Sequence, residues 1–237
     1  MESLRKRDIL GEIALNFIDS ILGILSRRED NNYTAKHCIK VGLLAGVLGK
    51  SLNLENHDIK ELQLAGRAHD IGKLAWPDTC FTKAKKERLG ITRNMMLYHP
   101  TIGKQLLYNS LAPLDRRKRK CKLKWTYWIW FHHWGYTEEY RKYPPLTDPE
   151  VQVFLKCLND NCNFLRIIEL GIGIMYVADC FHAAISKRDY RGTFPMGKSI
   201  EDILKYMTEN TGKEFHPEVV KKMVELKPWL QQTFINE

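Results

Sequence analysis

Apolar residues recur every three or four positions along most of this chain, and no long run of alternating Val, Ile and Thr marks a strand. That periodicity confines the chain to helices packed face to face, an all-α fold. The spacing predicts helices over 8–26, 34–51, 56–71, 92–108, 121–134, 149–187 with a break, 199–210 and 216–226. Asn53 and Asn56 flank a turn, Pro77 follows a helix end, Pro100 suits a first helical turn, and Gly90, Gly192 and Gly212 mark loops. The stretch from Tyr136 to Pro149 is polar and proline-rich, as a loop over a site would be. With 237 residues and no internal repeat or Gly/Ser linker, one large domain is the simplest organisation.

The first residues, MESLRKRDILGEIALNFIDSILGIL, carry Asp8, Glu12 and Asp19 inside their apolar part, so they describe an amphipathic helix and not a signal peptide. Ile9, Ile13, Phe17, Ile21 and Leu25 fall near one face, which can pair two copies as a homodimer or pack on its own domain. The most apolar segment, Leu165 to Phe181, is interrupted by Arg166, Glu169 and Asp179, so no membrane span is expected. Cys38, Cys80, Cys121, Cys157, Cys162 and Cys180 form no CxxC pair and follow no secretory signal. Reduced thiols in a cytoplasmic protein are expected, without disulfides or a zinc knuckle. The net charge is +9, much of it in the run RRKRKCKLK from Arg116 to Lys124. Such a run is either a solvated loop or a surface for nucleic acid or acidic membrane, and the aromatic segment WTYWIWFHHWGY after it suits stacked bases.

Polar residues placed within the apolar faces carry the chemistry. His37 shares a stripe with Val41, Leu44 and Leu48, and Asp179 continues the face of Ile172 and Met175. A buried carboxylate is costly unless it is paired or binds metal. His69 and Asp70 end a helix whose apolar face runs through Ile59, Leu62, Ala65 and Ala68; His99 precedes Pro100, and His132 and His133 are adjacent. Either of His37 and Asp179 alone reads as a satisfied core polar group. Five histidines and two aspartates on separate inward faces form a mixed imidazole and carboxylate set suited to iron, manganese, nickel, cobalt or zinc.

The segment AGRAHDIGKLAWPD, with NNYTAKH before it and LYHPTIGKQLL, His132-His133 and VADCFHAAISKRDYR after it, resembles the HD-GYP group of the HD superfamily. A lone HD dipeptide is a weak signal; the ordered set H…HD…H…HH…D is specific, and the likeness spans roughly residues 27 to 225. The resemblance implies an HD-domain helical bundle with a buried metal site over 27–228, preceded by the helix of 1–26 and followed by a tail over 229–237. It also implies metal ligands at His37, His69, Asp70, His99, His132, His133 and Asp179, with Asp70 bridging two divalent transition-metal ions, iron or manganese foremost. Family members with three metals have a glutamate four residues before the first histidine; Tyr33 stands there, so two metals are expected.

The implied activity is hydrolysis of 3′,5′-phosphodiester bonds in a cyclic dinucleotide, cyclic di-GMP or a relative, by a metal-bridging hydroxide. Lys73, one turn past Asp70, would reach the scissile phosphate; Arg188 and Arg191 would grip the other phosphate, with Tyr143 beside the substrate. Where the family reads HHE and then GYP, this chain reads HHWGYTEEYRKYP, with Trp134 after the pair and Lys142 in place of the glycine. That departure leaves room for a phosphohydrolase of mononucleotides or linear oligonucleotides, or for a nucleotide-binding adaptor without turnover. Regulation would enter through the N-terminal helix or a partner protein.

Overall fold

The computed structural model describes residues 2–28, 33–77, 88–111, 124–159, 162–186 and 199–234. Among them the helices are α1 (Glu2–Arg28), α2 (Tyr33–Ser51), α3 (Asn56–Ala68), α4 (Arg88–Leu111), α5 (Lys124–Trp130), α6 (Pro149–Asn159), α7 (Cys162–Ile185), α8 (Ile200–Glu209), α9 (Pro217–Glu225) and α10 (Lys227–Thr233). Short 3-10 turns span Ile71–Ala75 and Glu138–Tyr140. Among the described residues no strand forms; Trp134 with Arg141, and Thr211 with Phe215, make single isolated bridges.

Helices α2 and α7 form the centre. The α2 stripe of Val41, Leu44 and Leu48 is fully buried, as are Ile174, Val177, Ala178 and Phe181 on α7. Helix α3 lies on α2 at very short range, because a Cβ placed on Gly66 would fall 2.5 Å from the Gly42 Cα. Glycine at both crossing positions lets the two backbones touch. This contact sets the depth at which His37 and His69 face one another.

Ala14, Ile18, Ile21, Leu22 and Leu25 of α1 are buried within the domain, on α2, α3 and the Ile71–Ala75 turn. Of the expected N-terminal stripe, Ile21 and Leu25 are buried on the chain's own domain and Phe17 is half-buried, Ile13 is exposed, and the side chain of Ile9 lies outside the described residues. Arg67 ties α3 to Asp19 of α1 at 2.5 Å, and Arg28 at the C-terminal end of α1 donates to the carbonyls of Leu74 and Trp76. The stretch from residue 229, expected as a tail, is helical through Thr233 and buries Leu230 and Phe234. Among the described residues one stretch, Arg166–Ile185, is long and apolar enough to cross a membrane, and most of it is buried in the core.

Other expectations shift in position. Pro100 lies well inside α4, and Gly90 is helical rather than a loop marker. The helix expected over 121–134 is described from Lys124 and ends at Trp130, leaving Phe131, His132 and His133 in a turn. The aromatic segment does not offer a stacking surface: Trp125, Trp128, Trp130, Phe131 and Trp134 are buried core residues. The basic run from Arg116 to Leu123 lies outside the described residues, while Lys124 at its end pairs with the buried Asp58.

Candidate metal centre

Five segments deliver polar side chains to one buried cluster. Helix α2 brings His37; the end of α3 brings His69 and Asp70; α4 brings His99; the turn after α5 brings His132 and His133; α7 brings Asp179. Asp70 sits at φ −100, ψ 3, outside the helical region, in a conformation common among active-site residues. Two residues later a Cβ on Gly72 would fall 1.9 Å from the His99 carbonyl oxygen. Only glycine lets the turn after Asp70 lie against α4, and that approach brings Asp70 to His99.

The two oxygens of Asp70 face different partners. Its Oδ1 lies 3.1 Å from His99 Nε2, whereas its Oδ2 lies 3.4 Å from His69 Nε2 and 4.0 Å from His37 Nε2 and contacts Lys73 Nζ. Asp179 Oδ1 is 2.9 Å from His37 Nε2 and 3.8 Å from His69 Nε2, and its Oδ2 is 3.9 Å from His133 Nδ1. His99 Nε2 stands 3.3 Å from His132 Nε2 and 3.4 Å from His133 Nε2. His37, His69 and Asp70 make one donor group, His99, His132 and His133 another, and His69, His132 and Asp179 a third; the donor atoms within each lie within 4.8 Å of one another.

The ring orientations are set by the backbone. His69 Nδ1 lies 2.8 Å from the Gly66 carbonyl and His132 Nδ1 lies 2.6 Å from the Ile129 carbonyl. A carbonyl only accepts, so each Nδ1 carries a proton and each Nε2 is the nitrogen presented to the cluster. His69 Nε2 is buried without a hydrogen-bond partner. An orphaned imidazole nitrogen amid carboxylates and further imidazoles fits a metal ion, and the mixed nitrogen and oxygen donors suit a divalent transition metal.

Electrostatics agree with that fit at Asp70, Asp179, His132 and His133; at His69 burial opposes the charge but Asp70 outweighs it and raises the ring well above the usual histidine value, so a cation bound there would displace the Nε2 proton. Burial works against the charge of Asp70, yet Lys73 and His69 outweigh it and hold the carboxyl well below its ordinary range. Burial likewise opposes Asp179, and the His37 hydrogen bond and charge hold it ionised. Burial and the neighbouring imidazoles push His132 and His133 well below the usual histidine value, keeping them neutral and able to donate lone pairs.

Lys73 is drawn onto Asp70, with its ammonium 5.4 Å from the Trp76 ring centre. Tyr143 lies over His133, ring centres 4.3 Å apart, and burial raises its phenol pKa, so it stays protonated. The loop that carries Tyr143 is anchored at several points. The Trp134 indole N–H donates to the Pro144 carbonyl at 2.8 Å, and the N–H groups of Tyr136 and Thr137 donate to the carbonyls of Glu214 and Lys213 at 2.9 Å. Glu214 in turn accepts the hydroxyls of Tyr176 at 2.7 Å and Tyr206 at 2.8 Å. Arg188 and Arg191 lie outside the described residues.

Three residues in or around the cluster escape a motif-based reading: Trp134, Glu214 and His182. His182 is buried with its Nδ1 2.8 Å from His37 Nδ1. Its signal was its place three residues after Asp179, on the same inward face of α7.

Comparison with known proteins places this arrangement. A cyclic di-GMP phosphodiesterase of Thermotoga maritima is 26% identical over 226 residues, 92% of this chain and 50% of the relative. The cyclic di-GMP phosphodiesterase response regulator RpfG of Xanthomonas campestris is 27% identical over 192 residues, 80% of this chain and 42% of the relative. The chain therefore spans about half the length or less of these curated relatives. Among solved structures, the HD domain of the L. monocytogenes phosphodiesterase PgpH in complex with cyclic-di-AMP superimposes with a TM-score of 0.53 at 14% identity, covering 92% of this chain and 98% of that one. That likeness is one of fold. The HD domain family model matches residues 34–184, which holds His37 at one end and Asp179 at the other, and the chain belongs to the HD domain family.

Proposed function

We propose that this chain is a metal-dependent phosphodiesterase that opens the 3′,5′ linkage of a cyclic dinucleotide. The observation that carries the reading is the buried convergence of five imidazoles on two carboxylates, with the Nε2 atoms of His69 and His132 turned inward by backbone carbonyls. The phosphodiesterase names of the Thermotoga and Xanthomonas relatives support the reaction class.

His37, His69, Asp70, His99, His132, His133 and Asp179 would hold two divalent ions, iron or manganese, with nickel, cobalt and zinc as alternatives, and Asp70, at the centre of the cluster, would be shared between them. Such a pair of ions would supply an activated water and steady the charge of an in-line displacement at phosphorus. In the balanced reaction one water adds across the P–O3′ bond: its oxygen joins phosphorus and a proton goes to the departing sugar oxygen, leaving a linear dinucleotide. Lys73 then has a second task. With cations balancing Asp70, its ammonium is released toward the phosphate. Tyr143 offers a neutral phenol O–H beside His133, and Arg188 and Arg191 would hold the non-reacting phosphate. The domain would run over residues 27–228 with α1 as an integral support, and a regulatory partner would act through α1, whose Arg28 reaches the turn carrying Lys73.

The altered loop, with Trp134 buried beneath it, makes linear dinucleotides and mononucleotides necessary arms of the test. The experiment is metal analysis of anaerobically purified protein together with turnover of cyclic and linear dinucleotides and mononucleotides. About two metals per chain and preferential opening of a cyclic dinucleotide are expected. Tight binding of a cyclic dinucleotide with both metals present and no turnover of any substrate would replace the enzyme with a sensor.

A further inference from the structure

The contact between His37 and His182 has a strict proton requirement. Their Nδ1 atoms are 2.8 Å apart, both rings are buried, and two ring nitrogens at that distance must share one proton, one donating and the other accepting. His37 presents its opposite nitrogen, Nε2, to Asp179 at 2.9 Å and to Asp70 at 4.0 Å. For Nε2 to offer a lone pair to a cation, the proton of His37 must sit on Nδ1, and Nδ1–H then needs an acceptor. Tyr33 is a poor candidate, its hydroxyl standing 3.4 Å away with its ring stacked on the imidazole. His182 Nδ1 is the near one.

The surroundings of His182 leave that role open to it. The Ser186 hydroxyl lies 3.1 Å from His182 Nδ1, but it also lies 2.6 Å from the His182 carbonyl, to which it donates. Its proton is thus committed to the backbone, so Ser186 does not compete with His37 as a donor to His182 Nδ1; the accepting tautomer places the His182 proton on the buried Nε2. Phe234, from the C-terminal end of the chain, closes over the His182 ring at 5.9 Å between centres, edge to face, and fixes the plane of the ring.

We infer that His182 is a positioning residue for the metal centre: it accepts the Nδ1 proton of His37 and so holds that ring in the tautomer whose Nε2 can bind a cation. This rests on the metal-dependent reading above. A neutral imidazole serves where a carboxylate would also accept, and it has a further property that a carboxylate lacks. By exchanging its own tautomer it can donate to His37 when no cation is present and His37 Nε2–H turns to Asp179. One residue therefore satisfies the ring in both states.

The test compares the full chain with His182→Asn, His182→Gln and His182→Leu, each stripped of metal and titrated with Mn²⁺. Calorimetry gives stoichiometry and affinity, and thermal melts of the metal-free proteins report folding. The Asn amide oxygen falls near the place of Nδ1 and can accept from His37, whereas the Gln amide reaches past it toward the place of Nε2. We expect the Leu and Gln variants to lose about 10–100-fold in affinity for the more weakly held Mn²⁺, the usual cost of removing an outer hydrogen-bond partner of a histidine ligand. The Asn variant should stay within a few-fold of the parent, whatever the order of the melting temperatures. The inference is overturned if the Leu or Gln variant binds Mn²⁺ as the parent does, or if affinity follows melting temperature across all three and Asn gives no rescue. Should Leu fail to fold, the Asn and Gln pair decides alone. A parent chain that binds no Mn²⁺, Fe²⁺, Co²⁺ or Zn²⁺ sinks the metal reading and this inference with it.

Discussion

Replacing Lys73 with methionine separates what its ammonium does without metal from what it does with metal. Methionine keeps an unbranched chain against Trp76 and removes the charge that contacts Asp70. Both partners are well buried, with side-chain exposures of 12% for Lys73 and 4% for Asp70. Breaking a buried pair by removing one partner leaves an uncompensated charge and costs about 3 kcal/mol or more. For a domain of this size, that lowers the melting temperature by about 6–12 °C. In the metal-loaded protein the cations balance Asp70, so the loss should fall to less than half. The assay is a pair of thermal melts, in chelator and in saturating Mn²⁺, with turnover of the cyclic dinucleotide measured on the loaded protein. Turnover should slow about 100-fold, as when one positioned electrostatic group is withdrawn from a transition state. Equal melting losses with and without metal would make the Lys73–Asp70 pair a permanent structural bond, and unchanged turnover would remove Lys73 from the phosphate.

Asp70→Ala should abolish turnover and lower the metal content measured by elemental analysis, while circular dichroism keeps its helical signature, because the apolar faces of α2, α3 and α7 are untouched. Gly72→Ala should lose metal as well, since the added Cβ meets the backbone of His99 at 1.9 Å and must push the Asp70 turn off α4; wild-type metal affinity in this variant would refute that packing. Arg188→Ala with Arg191→Ala should raise KM far more than it lowers kcat, as expected for a clamp that binds ground and transition states alike. Metal-free stability should fall as pH drops below about 6.5, the ordinary histidine value. His132 and His133 are depressed in the fold, so below that value the unfolded chain takes up more protons. His69, raised in the fold, acts with the opposite sign and loses its contribution as pH rises through its folded value, so urea melts between about pH 7.5 and 5.5 should show the fall only on the acid side.

The ligand cluster was legible because its members are polar residues on apolar stripes at helical spacing. His37 falls in register with Val41, Leu44 and Leu48, and Asp179 follows Met175 by one turn, so their inward direction needs no tertiary information. Boundaries were harder. His99 was readable as a residue type, but Pro100 suggested a helix start where the chain has a helix interior, and α4 tolerates the missing N–H because packing outweighs local propensity. The tryptophan-rich segment resembled a stacking surface because sequence does not tell an exposed aromatic face from one enclosed by α3, α4 and α7. Helix α10 was hidden by its length, and Glu214 by its setting in a turn. Its two tyrosine partners come from α7 and α8, and only the folded chain brings them together.

Because the donors are drawn from α2, the end of α3, α4, the turn after α5 and α7, ions held among them would stitch together nearly every layer of the domain. Such ions would add to the stability of a fold whose apolar faces already pack without them. Their affinity is part of the folding equilibrium, since the dispersed ligands of an unfolded chain bind them far less well. The quantity of folded protein in a cell would then track the supply of the metal, and scarcity would be answered by proteolysis of the empty chain before any change in its synthesis.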